Sequence, residues 1–504
     1  RLFDLVSHRS SGDSIFTPEL THAFTFDQLN VLLFGNTEAS GGLGYPITLE
    51  LLTSVASLCS KTDIYATDFL NSSVFTTTSL WCLNVSAVAN AKSLMAQRNT
   101  LGMANCLAAK NAEAKDMAKS APHCASAGIS PPVALSDEKE GSESTIVVSD
   151  VGTGLGWMKM MQDYPEVLLQ SREGNAVLED ICSTNGLPTQ FTRAWSNEAI
   201  HRCTYNKAQD IDIPRARLSI MLSSQINHFY DFFLKGDGSK LIAVGVFSRM
   251  NLSVTPPVDM ARKYRSSMPS DFSFTQPLGT VTQSQLLSFE HQPIPEIDDS
   301  QTPVTSPLFP SYEVLYTEVD LLVERLGSLT ADAYKKDCST PGFNRRFHVD
   351  NGLHPVIIYS DSVRSFIDHV GAIYELYHTK LSTVPIHELP SMIHETLYES
   401  LIGTFRRSRE WLLKHVYVFH MVAMVGELNL GIILAGGSIE ATVNQSYRQQ
   451  LRIEVNKKFT SLTDFQPTRL DVSIAAVFTA RALDENSMLL TSLPVDDLMA
   501  VLEA

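Results

Sequence analysis

The sequence predicts an α/β fold with a mostly parallel sheet, followed by an all-helical C-terminal domain. Three observations carry this prediction. Short apolar or β-branched runs alternate with helical stretches up to about residue 260, which is the pattern of parallel strands covered by helices. A stretch rich in Pro, Ser and acids follows up to Ser311. Beyond it, apolar residues recur at the three- and four-residue spacing of helices.

Composition narrows the class of protein. The 504 residues are 44% hydrophobic, enough to bury more than one core, and the length predicts roughly three domains. The net charge of −16 disfavours a protein whose whole surface grips nucleic acid. Seven scattered cysteines without a C-x-x-C pair argue against a disulfide framework or a zinc cage. We therefore expect reduced thiols and a cytoplasmic location.

The longest apolar run, Trp411 to Leu434, is the segment of the sequence that could cross a membrane. Lys414, His415 and Glu427 interrupt it, and a lipid-facing helix tolerates such residues poorly. No secretory hydrophobic region is visible at the N-terminus. We expect no membrane association.

The elements follow in order. Leu49–Cys59 and Leu94–Lys119 have helical patterns, and helical spacing returns in Tyr312–Leu326, Ser362–His378 and Trp411–Val425. The predicted strands after the first are Ser144–Asp150, Val167–Gln170, Arg217–Leu222 and Leu241–Phe247. The predicted organisation is an N-terminal arm (1–45), an α/β domain (46–260), a connection (261–311) and a helical domain (312–504).

The most informative motif is SLWCLNVSAVANAKS, residues 79–93, a buried strand that runs into small residues and a Lys-Ser pair. A strand, a tight turn and Lys-Ser opening a helix form a phosphate-binding loop, the Walker A motif G-x-x-x-x-G-K-[ST]. Ser86 and Ala91 occupy the two glycine positions, while Lys92 and Ser93 are kept. Lys92 would reach the β/γ-phosphates of ATP, and Ser93 would bind Mg²⁺. Ala91 suits a turn with positive φ poorly.

The alternative is a core strand that meets an Ala-rich helix with a chance Lys-Ser pair. Other chemistry finds no support in the sequence. The VGTGLGW segment lacks the third glycine of a dinucleotide loop, the histidines lack metal-binding spacing, and no nucleophile elbow or Cys-His signature occurs.

Six segments occur in an informative order: the Lys-Ser loop, VVSDVGTGLGWM, LLQSREGN, RAWSNEAIHRCTY, IPRARLSIMLSSQ and GVFSRMNLSVTPP. This succession resembles the YfjI-type family of prophage and plasmid proteins, a domain of unknown function related to RecA-like and DnaB-like helicase ATPases. The resemblance runs from about residue 45 to 260 and weakly through REWLLKHVYVFHMVAMVG and SIEATVNQSYRQQL. It implies a RecA-like P-loop NTPase core.

The resemblance assigns roles to particular positions. Lys92 and Ser93 fall on the phosphate-loop pair, with ATP and Mg²⁺ as the implied cofactors. Asp150 falls on the acid of an S-D-x-T segment, and a helix N-cap explains it as well. Glu173 falls on the second acid of an S-D-E-G segment that resembles a Walker B strand end, where it would polarise the attacking water. Arg172 replaces the first acid and would repel Mg²⁺.

Arg249 falls on the arginine of a G-x-x-x-R segment at a strand end. It would serve as an arginine finger or sensor across a subunit interface, or as a surface ion pair. Gln225 would be a helicase-type sensor if its strand ends beside the nucleotide.

Two functions stay open. One is an NTPase of a mobile element, helicase- or primase-like, that forms a homo-oligomer and acts on single-stranded or duplex DNA. The other is a pseudo-ATPase that binds a protein or nucleic acid in phage-related defence or regulation. The candidate surface for such a partner is a basic cluster, although such charges are more often a solvated helix face. The cluster comprises Arg406, Arg407, Arg409, Lys414, Arg448, Arg452, Lys457 and Lys458.

Overall fold

The computed structural model describes residues 44–67, 73–86, 99–113, 146–149, 154–164, 166–184, 186–196, 198–202, 210–235, 238–255, 311–335, 354–440 and 442–503. Four candidate site residues lie outside these ranges: Ala91, Lys92, Ser93 and Asp150. Residues 1–43 of the predicted arm and 261–310 of the predicted connection also lie outside them.

Strands and helices are numbered in chain order. The strands are β1 (Asp63–Thr67), β2 (Ser73–Thr77), β3 (Trp81–Ser86), β4 (Ile146–Val148), β5 (Glu166–Ser171), β6 (Ile200–Arg202), β7 (Ile211–Ile213), β8 (Arg217–Gln225), β9 (Met250–Thr255) and β10 (Val356–Ile358). The helices are α1 (Gly44–Leu58), α2 (residues 99–113), α3 (Gly154–Asp163), α4 (Gly174–Ser183), α5 (Leu187–Trp195), α6 (Ile226–Lys235), α7 (Gly238–Ala243), α8 (Tyr312–Lys335), α9 (Asp361–Thr383), α10 (Glu395–Arg406), α11 (Ser408–Leu434), α12 (Gln445–Lys458), α13 (Arg469–Thr491) and α14 (Val495–Glu503).

The centre of the fold is a five-stranded sheet in the order β4-β5-β8-β3-β9, and every pairing in it is parallel. β3 is buried along its whole length, as expected for a strand covered on both faces. The predicted strands at residues 144–150, 167–170 and 217–222 are confirmed as β4, β5 and β8. The α/β class with a parallel sheet is therefore correct.

Helices cover both faces of this sheet. The Trp81 ring of β3 meets Trp195 and Phe191 of α5, with ring centroids 5.2 and 6.4 Å away. Side chains alternate along a strand, so Asn84 points to the opposite face, where its amide donates to Glu50 of α1. α4, α5, α6 and α7 form one layer, while α1, α8 and α11 belong to the other.

The strand predicted at Leu241–Phe247 is wrong. Leu241 lies in α7, and the chain then turns at Gly245, whose φ is +73°. A short 3-10 turn, Phe247–Arg249, leads into β9. The positive φ of Gly245 breaks any extended run there, and Val246 and Phe247 are buried as parts of a loop.

The C-terminal helices pack directly on the sheet, and the buried apolar core is continuous from one to the other. This region is also not entirely helical, because β10 pairs in parallel with β1, with Ile357 opposite Ile64. The antiparallel partner of β1 on its other side is β2. The helical prediction missed β10 because a three-residue strand leaves almost no periodic pattern.

α11 is a long apolar helix of this layer. Its 27 residues have a window with mean hydropathy 1.6, long and apolar enough to cross a membrane, and 61% of that window is buried inside the fold. It packs against α13, α9, α8 and α1. Its polar residues Lys414 and His415 are fully buried within this packing.

Candidate functional site

The carboxyl edge of the sheet brings several polar strand ends together. Ser86, the last residue of β3, is in register with Gln225 of β8 and with Thr255 of β9. β5 stops earlier, because its last residue Ser171 is opposite Leu222. The turn after β5 therefore lies beside the last residues of β8.

Hydrogen bonds fix these strand ends to one another. The Ser86 hydroxyl donates to the Ser224 carbonyl over 3.4 Å. The Ser224 hydroxyl donates to Oδ1 of Asn175, in the first turn of α4, over 2.6 Å. Asn175 was not singled out in the sequence, and its only signal was its place directly after the SREG segment.

Gly174 allows the turn to approach β8 closely. A Cβ at this position would lie 2.9 Å from the Ser223 carbonyl oxygen and 3.0 Å from the Leu222 Cβ. Any larger residue would push the start of α4 away from β8. The glycine of SREG thus sets the position of the residues just before it.

Glu173 and Arg172 both lie exposed in this turn. The Glu173 amide donates to the Ser171 hydroxyl over 3.2 Å, which shapes the turn and leaves the carboxylate in solvent. In the described part of the chain, no ion pair joins Arg172 to Glu173. The carboxylate is therefore available at the edge, as a water-polarising group requires.

The edge between β3 and β8 is also a topological switch point. α2, which follows β3, lies on the α1 face, because the Ser54 hydroxyl of α1 donates to Asn99 over 2.9 Å. α4 and α6, which follow β5 and β8, lie in the opposite layer. Ligands of open α/β sheets bind in the crevice outside the carboxyl ends of strands at such a point.

Gln170 adds a contact between β5 and α2. Its amide nitrogen donates to the Thr100 hydroxyl of α2. α2 is the helix that the Lys92-Ser93 pair was predicted to open, and Leu94–Lys119 is helical over its described residues 99–113. The contact therefore ties the helix after the loop to the strand that precedes Glu173.

A buried acid lies beneath this edge on the α1 face. Glu50 is 3% exposed, and Asn84 donates to its carboxyl group over 3.4 Å. Burial raises the pKa of Glu50 to about 7. The sequence analysis missed it, although Asn84 was visible as a polar residue within the buried strand.

Arg249 does not belong to this edge. It immediately precedes Met250, which is in register with Trp81 at the beginning of β3, so it lies at the amino edge of the sheet. Its predicted position at a strand end is wrong, because the strand begins after it. With 8% exposure it is not a surface ion pair either.

The predicted basic cluster is not one surface. Arg448 is 1% exposed and forms ion pairs with Glu113, Asp320 and Glu324. Arg452 pairs with the first and last of these carboxylates. Lys414 is buried, and the remaining pairs are Arg409–Asp368, Arg407–Glu410, Lys457–Glu454 and Lys458–Glu427. Apart from Arg406, each of these cations has an acidic partner among the described residues, either on its own helix or on a neighbouring one.

Within the described ranges, no group of three or more His, Cys, Asp or Glu side chains is arranged to hold a metal ion. The described cysteines, Cys59, Cys82, Cys106 and Cys182, are free and buried. Burial raises the pKa of the Cys106 thiol to about 12, so it is not a thiolate ligand at neutral pH.

In comparisons with known proteins, no family model matches this chain and no curated protein matches it significantly.

Proposed function

We propose that this chain is a degenerate RecA-like P-loop NTPase of a mobile genetic element, related to the YfjI-type family, and that it binds ATP at the carboxyl edge between β3 and β8. The observation that carries the proposal is the strand order. Numbered by position in the chain, the parallel strands run 2-3-4-1-5, so the fourth lies between the first and the third. RecA-like ATPases share this order.

The position of the Lys-Ser pair supports the same site. Lys92 and Ser93 follow β3 directly in the sequence, and β3 ends at the switch point. In a phosphate-binding loop that begins at such a point, the backbone amides and the start of the following helix face the crevice. Lys92 is proposed to contact the β/γ-phosphates, and Ser93 the Mg²⁺.

Residues at neighbouring strand ends supply the other roles. Glu173 is proposed to orient the attacking water, and Gln225 to sense the γ-phosphate from the end of β8. Asn175 holds the Glu173 turn against β8 through Ser224. Arg172 stands where an acid would bind Mg²⁺, and its charge opposes the metal. We therefore propose that the protein binds ATP but hydrolyses it slowly.

The experiment measures Mg²⁺-ATP binding by isothermal titration calorimetry for the natural protein, Lys92→Ala and Lys457→Ala. Lys457 is the matched control, since its side chain is 76% exposed on α12. Binding that is lost only in Lys92→Ala supports the proposal. Equal affinity in all three proteins, or absence of binding in the natural protein, contradicts it.

Turnover separates the two open functions. ATP hydrolysis with and without single-stranded DNA is compared between the natural protein and Arg172→Asp. A helicase-like motor on DNA should hydrolyse ATP, and should do so faster in the presence of single-stranded DNA. Binding without turnover, with hydrolysis gained in Arg172→Asp, instead favours the pseudo-ATPase that recognises a protein or nucleic acid. Arg172 is the specific observation that favours this second function. A cytoplasmic homo-oligomer remains the proposed form in either case.

A further inference from the structure

The amino edge of the sheet, opposite the proposed nucleotide site, holds two buried cations, Arg249 and Lys414, and a partly buried one, Arg407. Arg249 precedes β9, Arg407 joins α10 to α11, and Lys414 lies in the second turn of α11. The 3-10 turn that contains Arg249 packs on α10. One carboxylate, Glu410, lies among the three cations.

Glu410 is fully engaged in this cluster. It accepts hydrogen bonds from the Thr76 hydroxyl at 3.2 Å and the Lys414 ammonium at 3.3 Å, and its other oxygen lies 3.7 Å from Arg407 Nη1. Lys414 is further held by the Ser79 carbonyl at 3.1 Å and by the face of the Trp195 ring. Lys414 thus has its partners.

Arg249 has fewer hydrogen-bond partners among the described residues than Lys414 has. Its Nη1 donates to the Gly245 carbonyl over 2.6 Å, but its Nε is buried without a hydrogen-bond partner among the described residues. The Nε of Arg407 donates to the Ser248 hydroxyl over 3.3 Å. Among the described residues, neither guanidinium has a carboxylate of its own, because Glu410 is shared with Lys414. A guanidinium carries five N–H donors, so donors remain unused on both.

The pKa values of the cluster reflect both its burial and its excess of positive charge. Burial and the neighbouring Arg407 lower the pKa of Arg249 to about 10. Burial lowers the pKa of Lys414 to about 8, and Arg249 and Arg407 contribute in the same direction. The exposed Glu198 offsets only part of the charge at Arg249.

The cluster is open to solvent on one side. The Arg407 side chain is 29% exposed and that of Glu410 is 25% exposed. Arg407 is also the N-cap of α11, and its side chain makes no capping hydrogen bond. The first turn of this 27-residue helix carries Glu410, and the helix dipole there favours a negative charge.

We propose that Arg249 and Arg407, beside the first turn of α11, form a binding site for a phosphate group at the amino edge of the sheet. Planar guanidinium donors match phosphate oxygens in geometry, and two of them in a partly buried site favour phosphate over a halide. The ligand is inorganic phosphate or the phosphate end of a small monoester. The site is distinct from the proposed ATP site, which lies at the other end of the same strands.

The test is calorimetric titration with inorganic phosphate at constant ionic strength, with sodium chloride as the balancing salt. The natural protein should bind phosphate saturably, and Arg407→Gln should weaken binding at least tenfold. Arg406→Gln is the matched control, because Arg406 is exposed and neighbours Arg407 in sequence. Lys92→Ala should leave this binding unchanged, which separates the site from the nucleotide loop.

Glycerol 3-phosphate identifies the source of the phosphate group. Equal affinity for both ligands indicates the end of a larger monoester, and binding of inorganic phosphate alone indicates the free ion. No saturable binding overturns the proposal, as does equal loss in Arg406→Gln or loss only in Lys92→Ala. If Arg407→Gln does not fold, Arg407→Lys serves instead, since it keeps the charge but loses the forked donors and should still weaken binding severalfold.

Discussion

The side chain of Asn486 pairs with Leu252 as a neighbouring strand would. Its Oδ1 accepts from the Leu252 amide over 2.8 Å, and its Nδ2 donates to the Met250 carbonyl over 3.0 Å. Glu485 accepts from the next outward-facing amide, that of Val254, over 3.2 Å. α13 thereby closes the free edge of β9, which would otherwise present unpaired backbone groups.

We expect Asn486→Ala to destabilise the protein by about 2–4 kcal/mol, because two buried backbone groups lose their partners. Urea unfolding measures this change, and hydrogen exchange at the Leu252 amide should become faster. Asn227→Ala is the control, since Asn227 is exposed on α6 and should cost under about 0.5 kcal/mol. An unchanged exchange rate at Leu252 would show that the edge is protected by other means.

Substitution by alanine should lower the stability of the protein at one glycine and raise it at another. Gly174→Ala places a Cβ 2.9 Å from the Ser223 carbonyl oxygen, and overpacking of this kind costs about 1–3 kcal/mol. Gly327→Ala meets nothing within 4 Å in the middle of α8 and should stabilise by about 0.5–1 kcal/mol. Thermal unfolding of the two variants checks the pair. Similar shifts in both would mean that the α4 start is not held tightly against β8.

The buried acid Glu318 should make stability depend on pH. It is fully buried, its one described hydrogen bond comes from Asn429 over 3.0 Å, and burial raises its pKa to about 8. The folded state therefore binds a proton that the unfolded state releases near pH 4.5. Its stabilisation is complete below pH 4.5 and is lost as pH rises towards 8, with a slope of about 1.4 kcal/mol per pH unit.

The variant Glu318→Gln keeps the shape of the side chain but removes its titrating proton. The slope of unfolding free energy against pH between 5 and 8 should fall in this variant, and the variant should be the more stable protein at pH 8. Glu427→Gln is the control, because Glu427 is 69% exposed and its substitution should leave the slope unchanged. Identical slopes in the natural protein and Glu318→Gln would disprove this assignment.

The network around Arg448 joins three helices. Burial favours the neutral form of Asp320, but Lys110 and Arg448 hold its pKa below the ordinary value. Arg448→Met would leave Asp320 and Glu113 facing each other with less compensation. We expect a loss of about 3–5 kcal/mol in unfolding free energy. Lys457→Met, in an exposed pair, should change it by under about 1 kcal/mol, and an equal effect of both would contradict a buried network.

Much of the candidate site was accessible from the sequence. β3 and β8 were visible because strands buried on both faces read as continuous apolar runs, and the resemblance placed SREG at a strand end. The role of Asn175 was not accessible, because its partner Ser224 lies 49 residues further along the chain. The pairing of β5 with β8 and the close approach at Gly174 bring these two together.

Arg249 and the basic cluster show most clearly what cannot be predicted from the sequence. A sequence lists charges but not their partners, so Arg448 and Arg452 appeared free, while Glu113 and Asp320 reach them from distant helices. Likewise, one misassigned strand moved Arg249 to the wrong edge of the sheet. The amino acid pattern by itself determined the α/β class, the parallel sheet and its strands β3, β4, β5 and β8, because burial and periodicity are local. Only the tertiary structure decided the strand order, the edge on which each charge lies and the partner that neutralises it, because these depend on contacts between residues hundreds of positions apart.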